Sequence, residues 1–177
     1  MALNRDVVLD AAVTLLDEVG LDDLSTRRLA DALGVRVGAL YWHYPGKQAL
    51  LDAIAERILG EAMAAPVPES GWDRQVRAFA HAHRDAMLAH PDGARVVAGM
   101  TAPGPVAKAF IRRPIDALTG VGLNATHAEG GADVITSYVN GFTIEEQARK
   151  TTQPRAARDA AFEVGLTVII NGLRTLR

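Results

Sequence analysis

The sequence predicts an all-α protein, with a short N-terminal head of three helices followed by a longer helical body. Three observations predict it. No sustained alternation of apolar and polar residues marks a strand, and helix-favouring Ala, Leu, Arg and Glu dominate. Helix-starting and helix-stopping residues recur along the whole chain. A length of 177 residues with 49% hydrophobic content supports a head of about fifty residues and a sizeable core behind it.

The elements follow in order. Asn4 caps a first helix whose apolar stripe is Val8, Ala12, Leu15, Leu16 and Val19, and Gly20 stops it. Ser25 caps a second, short helix carrying Leu29, Ala32 and Leu33, which ends at Gly34. A third runs from about Val37 to His43 and stops before Pro45. A long fourth helix starts near Gly46, carries Leu50, Leu51, Ile54, Ile58 and Leu59, and ends before the linker Pro66-Val67-Pro68. Beyond it, a helix runs from Ser70 or Trp72 to about Ala89, and a short segment covers Asp92–Met100. Another starts at Pro105, with a kink expected at Pro114. Two long helices, Thr126–Arg149 and Pro154–Arg177, close the chain. The expected division is a head over 1–46 and a body over 47–177, joined by a connecting helix at about 47–64.

Charge and composition exclude some classes of function. The chain has no cysteine, so disulfides and thiolate metal sites are ruled out. It shows no signal-peptide pattern and no apolar run long enough for a bilayer, and a cytoplasmic protein is expected. The net charge is −2, and residues 1–60 hold six basic against nine acidic side chains. Within 25–50, however, Arg27, Arg28, Arg36 and Lys47 face Asp31 alone, a local +3. Positive charge therefore collects where a helix-turn-helix meets phosphate.

The segment from Ser25 to Tyr44 carries the functional argument. Ala30 is small where two steeply crossing helices approach, and Gly34 accepts the positive φ of the tight turn. Leu29, Leu33, Val35 and Leu40 form the apolar wedge between them. On the remaining surface, Ser25 and Thr26 suit a phosphate at a helix N-terminus, and Arg27 can reach a base edge. Tyr41, Trp42 and His43 crowd the end of the third helix, where two adjacent aromatics cannot both point inward. Lys47 opens the fourth helix, ready for a phosphate.

With these residues, Arg5 to Leu59 resembles the N-terminal domain of the TetR family of regulators, and Leu40-Tyr41-Trp42-His43 with Lys47 is the strongest local signature. Trp72, Leu88–Arg95, Gly141–Gln147 and Phe162–Leu166 resemble the tetracycline-repressor branch, so the likeness covers nearly the whole chain. The resemblance implies an Ω-like homodimer with two DNA-reading heads and a C-terminal helical ligand-binding and dimerisation domain. It implies backbone contacts from Thr26, Tyr41, His43 and Lys47, and base contacts from Arg27. The tetracycline repressor has Gln-Pro-Thr where this chain has Val37-Gly38-Ala39. Base reading is expected to shift toward Arg27, Arg36 and Tyr41, with Val37 against a thymine methyl. In that branch a histidine near the position of Val97 holds the drug-bound magnesium, assisted by a glutamate near Glu145. Here the histidine is lost, so a largely hydrophobic effector and no cofactor are expected.

The body offers a candidate pocket and a candidate interface. Met63, Phe79, His83, Met87, Val97, Met100, Phe110 and Phe142, with Glu145, are the pocket candidates, although each apolar one also suits a plain core. Phe162, Gly165, Leu166, Ile169, Gly172 and Leu173 recur at three- and four-residue spacing, as a four-helix interface across a two-fold axis requires. The same stripe also fits packing inside one subunit. The implied partners are a palindromic duplex operator, a small-molecule effector and a second copy of the chain.

Rival classes fare worse. His81 and His83 lie on nearly opposite helix faces and make no metal pair, while His90 and His127 have no nucleophile or carboxylate at motif spacing. The chain has no phosphate loop and no nucleophile elbow, and Glu145-Glu146 are about 100° apart on a helix. An enzyme is therefore not expected. A helical ligand-binding or interaction protein without sequence-specific DNA binding is the alternative, and a flat salt dependence of DNA binding would favour it.

Overall fold

The computed structural model describes residues 3–149 and 154–176. Among them are nine helices and no strand: α1 Arg5–Asp23, α2 Thr26–Leu33, α3 Val37–Tyr41, α4 Lys47–Met63, α5 Trp72–Leu88, α6 Gly93–Ala98, α7 Pro105–Thr119, α8 Ala125–Ala148 and α9 Arg155–Arg174.

Helix starts follow their capping chemistry. Asn4, Ser25 and Asn124 accept from the backbone N–H of Val7, Arg28 and His127 at 2.9, 3.2 and 2.9 Å, relieving unpaired donors at three helix N-termini. Gly20 does interrupt α1: its φ of 75° breaks the regular backbone, and a final turn runs on to Asp23. Gly34 takes the left-handed conformation at φ 66° and closes α2. The third helix is shorter than its sequence pattern, ending at Tyr41, because the His43 and Tyr44 amides both turn back onto the Leu40 carbonyl. Helix α7 continues through Pro114, which is buried.

Helix α4 is the hub. It packs against α1 on one side and against α5, α6 and α7 on the other, with Leu50, Ile54, Ala55, Ile58, Leu59 and Ala62 buried. Helix α8 takes the same place in the body, touching α5, α6, α7 and α9. The head core is Val8, Ala12, Leu15 and Leu16 against Leu24, Leu29, Ala30, Leu40 and Tyr44. Leu33 and Val35, expected in the wedge, are only half-buried.

Candidate DNA-reading head and effector core

Leu29, Ala30 and Leu40 are buried beneath the turn and set the angle between α2 and α3. The outer surface that results is cationic and aromatic. Arg27, Arg36 and Lys47 are exposed, and Trp42 and Tyr41 are 90% and 49% exposed. Both aromatics face outward, because the hydrophobic floor of α3 is already filled by Leu40. Arg28 is drawn aside by Asp23 at 3.2 Å, whereas the described residues hold no carboxylate paired with Arg27 or Arg36. Ser25 and Thr26 are half-buried, and the Ser25 oxygen already accepts from Arg28. Val37 and His43 are half-buried. At Gly38 an added Cβ would meet nothing within 4 Å, so this stretch of α3 is open backbone. Tyr44 turns inward: its hydroxyl donates to the Arg5 carbonyl at 3.2 Å, and the Arg5 guanidinium lies 4.6 Å from its ring centroid.

Two carboxylates of α4 bind the head's connecting helix to the body. Asp52 accepts from the backbone N–H and hydroxyl of Thr101, both at 3.0 Å, and from Gln48 at 2.9 Å. Burial pushes its carboxyl up, but these donors outweigh burial and leave it below the ordinary aspartate range. Glu56 takes the N–H groups of Gly104, Val106 and Ala107 at 3.1, 3.0 and 2.8 Å, and so caps α7.

Inside the body, His83 is 2% exposed. It sits edge-on to Phe110 at 5.0 Å between centroids, and Phe110 stacks on Phe79 at 4.5 Å. Burial drives the imidazole pKa down to about 4, so it is neutral at pH 7. Both of its ring nitrogens lack a partner, as do Thr136 Oγ1 and Asn140 Oδ1 on α8. Such orphaned polar atoms are costly in a core and are what a hydrogen-bonding guest would satisfy. A cavity of about 360 Å³ opens beside this core, lined by Pro66, Val67, Phe79, Ala82, Arg113 and Asp116 among others. Of the pocket candidates only Phe79 lines it. Met87, Val97 and Phe110 are buried, and Met63, Met100 and Phe142 are half-buried. Glu145 does not face this interior. It is exposed and paired with Arg149 at 2.6 Å, because helical spacing turns Glu146 inward instead.

Glu146 belongs to a buried network that sequence reasoning missed. Arg84, 1% exposed, grips it with two bonds of 2.9 Å and reaches Asp159 at 2.7 Å, while Arg158 adds a bond to Glu146 at 2.7 Å. The signal was present: Arg84 lies on the inward stripe of Val76, Ala80 and Met87.

The interface candidates divide. Phe162, Leu166 and Leu173 are buried within the chain, so they are not a free dimer surface. Gly165 is small for Tyr138, whose hydroxyl would lie 2.3 Å from an added Cβ and which donates to the Phe162 carbonyl at 2.8 Å. Ile169 is half-buried and Gly172 exposed, and both border an apolar groove between α8 and α9. The exposed apolar side chains nearby are Val164 and Val168, each 66% exposed, with Val134 at 53%.

An all-helical body carrying a helix-turn-helix whose outer face is cationic and aromatic defines a DNA-binding regulator. Residues 8–54 match the model of the bacterial regulatory proteins, tetR family, and residues 65–159 match the tetracyclin repressor-like C-terminal domain. The tetracycline repressor protein class A from transposon 1721 of Escherichia coli is 36% identical over 99% of this chain and 92% of its own length. A TetR variant from Acinetobacter baumannii AYE in complex with minocycline superposes with a TM-score of 0.89 at 37% identity, covering 99% of both chains. BioQ with its double-stranded DNA operator superposes at 0.85 and 34% identity, covering 97% of this chain and 98% of that one. This chain belongs to the TetR family; its class is transcriptional regulator, not enzyme. None of the described helices is long and apolar enough to cross a membrane.

Proposed function

We propose that this protein is a cytoplasmic repressor that binds a palindromic operator as a homodimer and is released by a small, largely hydrophobic effector. The observation that carries the reading is the unpaired cationic and aromatic face of the α2–turn–α3 unit. Arg27 and Arg36 are free to read bases, preferably guanine; Tyr41, Trp42, His43 and Lys47, with Thr26 and the Ser25 hydroxyl, fix the head on phosphates; Val37 and Gly38 lie against the groove floor. Residues 1–46 form the reading head and 47–177 the body. Two heads then sit about one helical turn apart, roughly 34–36 Å. BioQ on its operator is the relevant parallel.

The effector enters the body beside Phe79, whose ring centroid lies 5.8 Å from that of His83, and supplies a partner to the bare imidazole. The minocycline complex of the Acinetobacter relative places a ligand in a protein of this fold. A magnesium chelate fits this chain poorly, since Val97 offers no donor and, among the described residues, no three histidine or carboxylate groups are placed to hold a metal ion. Occupancy shifts the population toward a body that pulls α4, through Asp52 and Glu56, and with it the head. A coupling of ~1–3 kcal/mol changes operator affinity about 5–150-fold.

The test is selection of bound duplexes from a random library with the wild type, Arg27→Ala and Tyr41→Ala. A palindrome with half-sites one turn apart, lost in both variants, is expected. No enrichment even at low salt would overturn DNA reading and leave an effector-binding helical module.

A further inference from the structure

The α5–α6 turn meets the head and the connecting helix at one buried side chain. His90 Nδ1 lies 2.8 Å from Asp17 of α1, and Nε2 lies 3.2 Å from Glu61 of α4. Asp17 and Glu61 are far apart in sequence, and each can only accept a hydrogen bond in its charged form. A neutral imidazole carries one N–H and one lone pair, so it can satisfy one carboxylate and must turn a lone pair toward the other. An imidazolium donates to both.

We propose that His90 is a proton-operated latch between the head and the body, closed when the ring donates to Asp17 and Glu61 together and opened when one of those bonds is lost. The proposal rests on the reading of α1–α3 as the DNA-binding head.

The surroundings isolate this tie as the titrating one. From α8, the uncharged Gln147 side-chain amide donates to the His90 and Met87 carbonyls at 2.8 and 3.1 Å, and its oxygen accepts from the Ala94 N–H at 3.0 Å. The turn is therefore held to the body in either protonation state. On the α6 side, Asp92 accepts from the Leu21 N–H at 3.0 Å and pairs with Arg95 at 3.1 Å, and Arg95 pairs with Asp22 at 2.9 Å. Those bonds do not involve the His90 ring and keep the end of α1 attached as a pivot. Among the described residues, the charges facing the ring are Asp17 and Glu61.

Burial pulls the His90 pKa down, but bonds to Asp17 and then Glu61 outweigh it and leave it above the ordinary histidine value. A raised folded value means that the latch is fully closed below the unfolded histidine range. It is lost as pH climbs through the raised value. Opening frees α1 to swing about the Asp92 tie, and the heads lose their fixed spacing.

The chain has no cysteine, so two introduced ones give a clean label pair. Nitroxides at Glu18→Cys on α1 and Ala98→Cys on α6 report the head–body distance in the full chain. Between pH 5.5 and 9 the distance distribution is expected to broaden in the otherwise wild-type chain and to stay unchanged in His90→Gln. In Asp17→Asn the amide can donate to the ring lone pair, so the distribution is expected to stay narrow at pH 9. A wild-type distribution identical at both pH values overturns the proposal, as does a His90→Gln distribution that follows pH. Broadening in Asp17→Asn equal to wild type overturns it too. Operator affinity, measured separately, is expected to fall several-fold over the same range in wild type and to hold in Asp17→Asn. A head that moves with pH in a protein that enriches no duplex keeps the latch and removes the DNA reading.

Discussion

Arg84 shows how one residue can hold three helices together. Its guanidinium joins α5 to Glu146 of α8 and Asp159 of α9, and lies 4.9 Å from the Phe162 ring centroid. Arg84→Ala leaves the Glu146 carboxylate to Arg158 alone, and a loss of about 1–3 kcal/mol is expected in urea unfolding at pH 7. Burial raises the Glu146 carboxyl, but Arg84 and Arg158 outweigh it and hold it below its ordinary value. The network's contribution is thus complete above the unfolded glutamate value and disappears as pH falls through the depressed folded one, so wild type and variant are expected to converge in acid. His83 gives the opposite case. His83→Phe removes two orphaned nitrogens from an aromatic site, and apo stability is expected to rise by about 1 kcal/mol in thermal unfolding. The sequence showed His83 as a core or pocket residue, but not that its nitrogens are bare, since pairing depends on partners from other helices. The same reason hid His90, whose carboxylates are 73 and 29 residues away.

At the level of elements, caps and glycines made the helices legible almost to the residue, because a cap is a local interaction between neighbours in sequence. The exceptions are also local. The third helix ended early at a turn onto Leu40, and α1 carried a further turn beyond Gly20 to Asp23. What the chain did not reveal is the bond between α4 and the start of α7. Glu56 receives three backbone N–H groups there, and Glu56→Ala leaves them without an acceptor. A loss of roughly 1–3 kcal/mol is expected. Amide exchange at Gly104, Val106 and Ala107 should accelerate while that in the α8 core stays slow. Unchanged exchange at these amides would mean that α4 is not fastened to the body through this carboxylate.

For the whole molecule, the question is which apolar faces are left for a second copy. Spacing picked out Phe162, Leu166 and Leu173 of the last helix's buried stripe but took Ile169 in place of Ile170, and a stripe cannot say whether its own chain covers it. Tyr138, Phe142, His81 and Arg84 already lie over or beside Phe162. The outer edge of α9, Val164 and Val168, remains exposed, together with Val134 of α8 and Leu176. Charge placed there, as Val164→Asp with Val168→Asp, is expected to leave the fold intact by circular dichroism. Sedimentation should then show monomers, and operator affinity should drop by at least two orders of magnitude, since one head alone reads one half-site.

The open backbone at Gly38 has an evolutionary consequence. A Cβ there meets nothing within 4 Å, and nearly any replacement for glycine improves helix propensity. New recognition chemistry can therefore arise at this position without a destabilised intermediate. On the proposed reading of α3, operator preference and foldedness are then separable traits, and lineages carrying this scaffold can part company over their target sequences while keeping the same body.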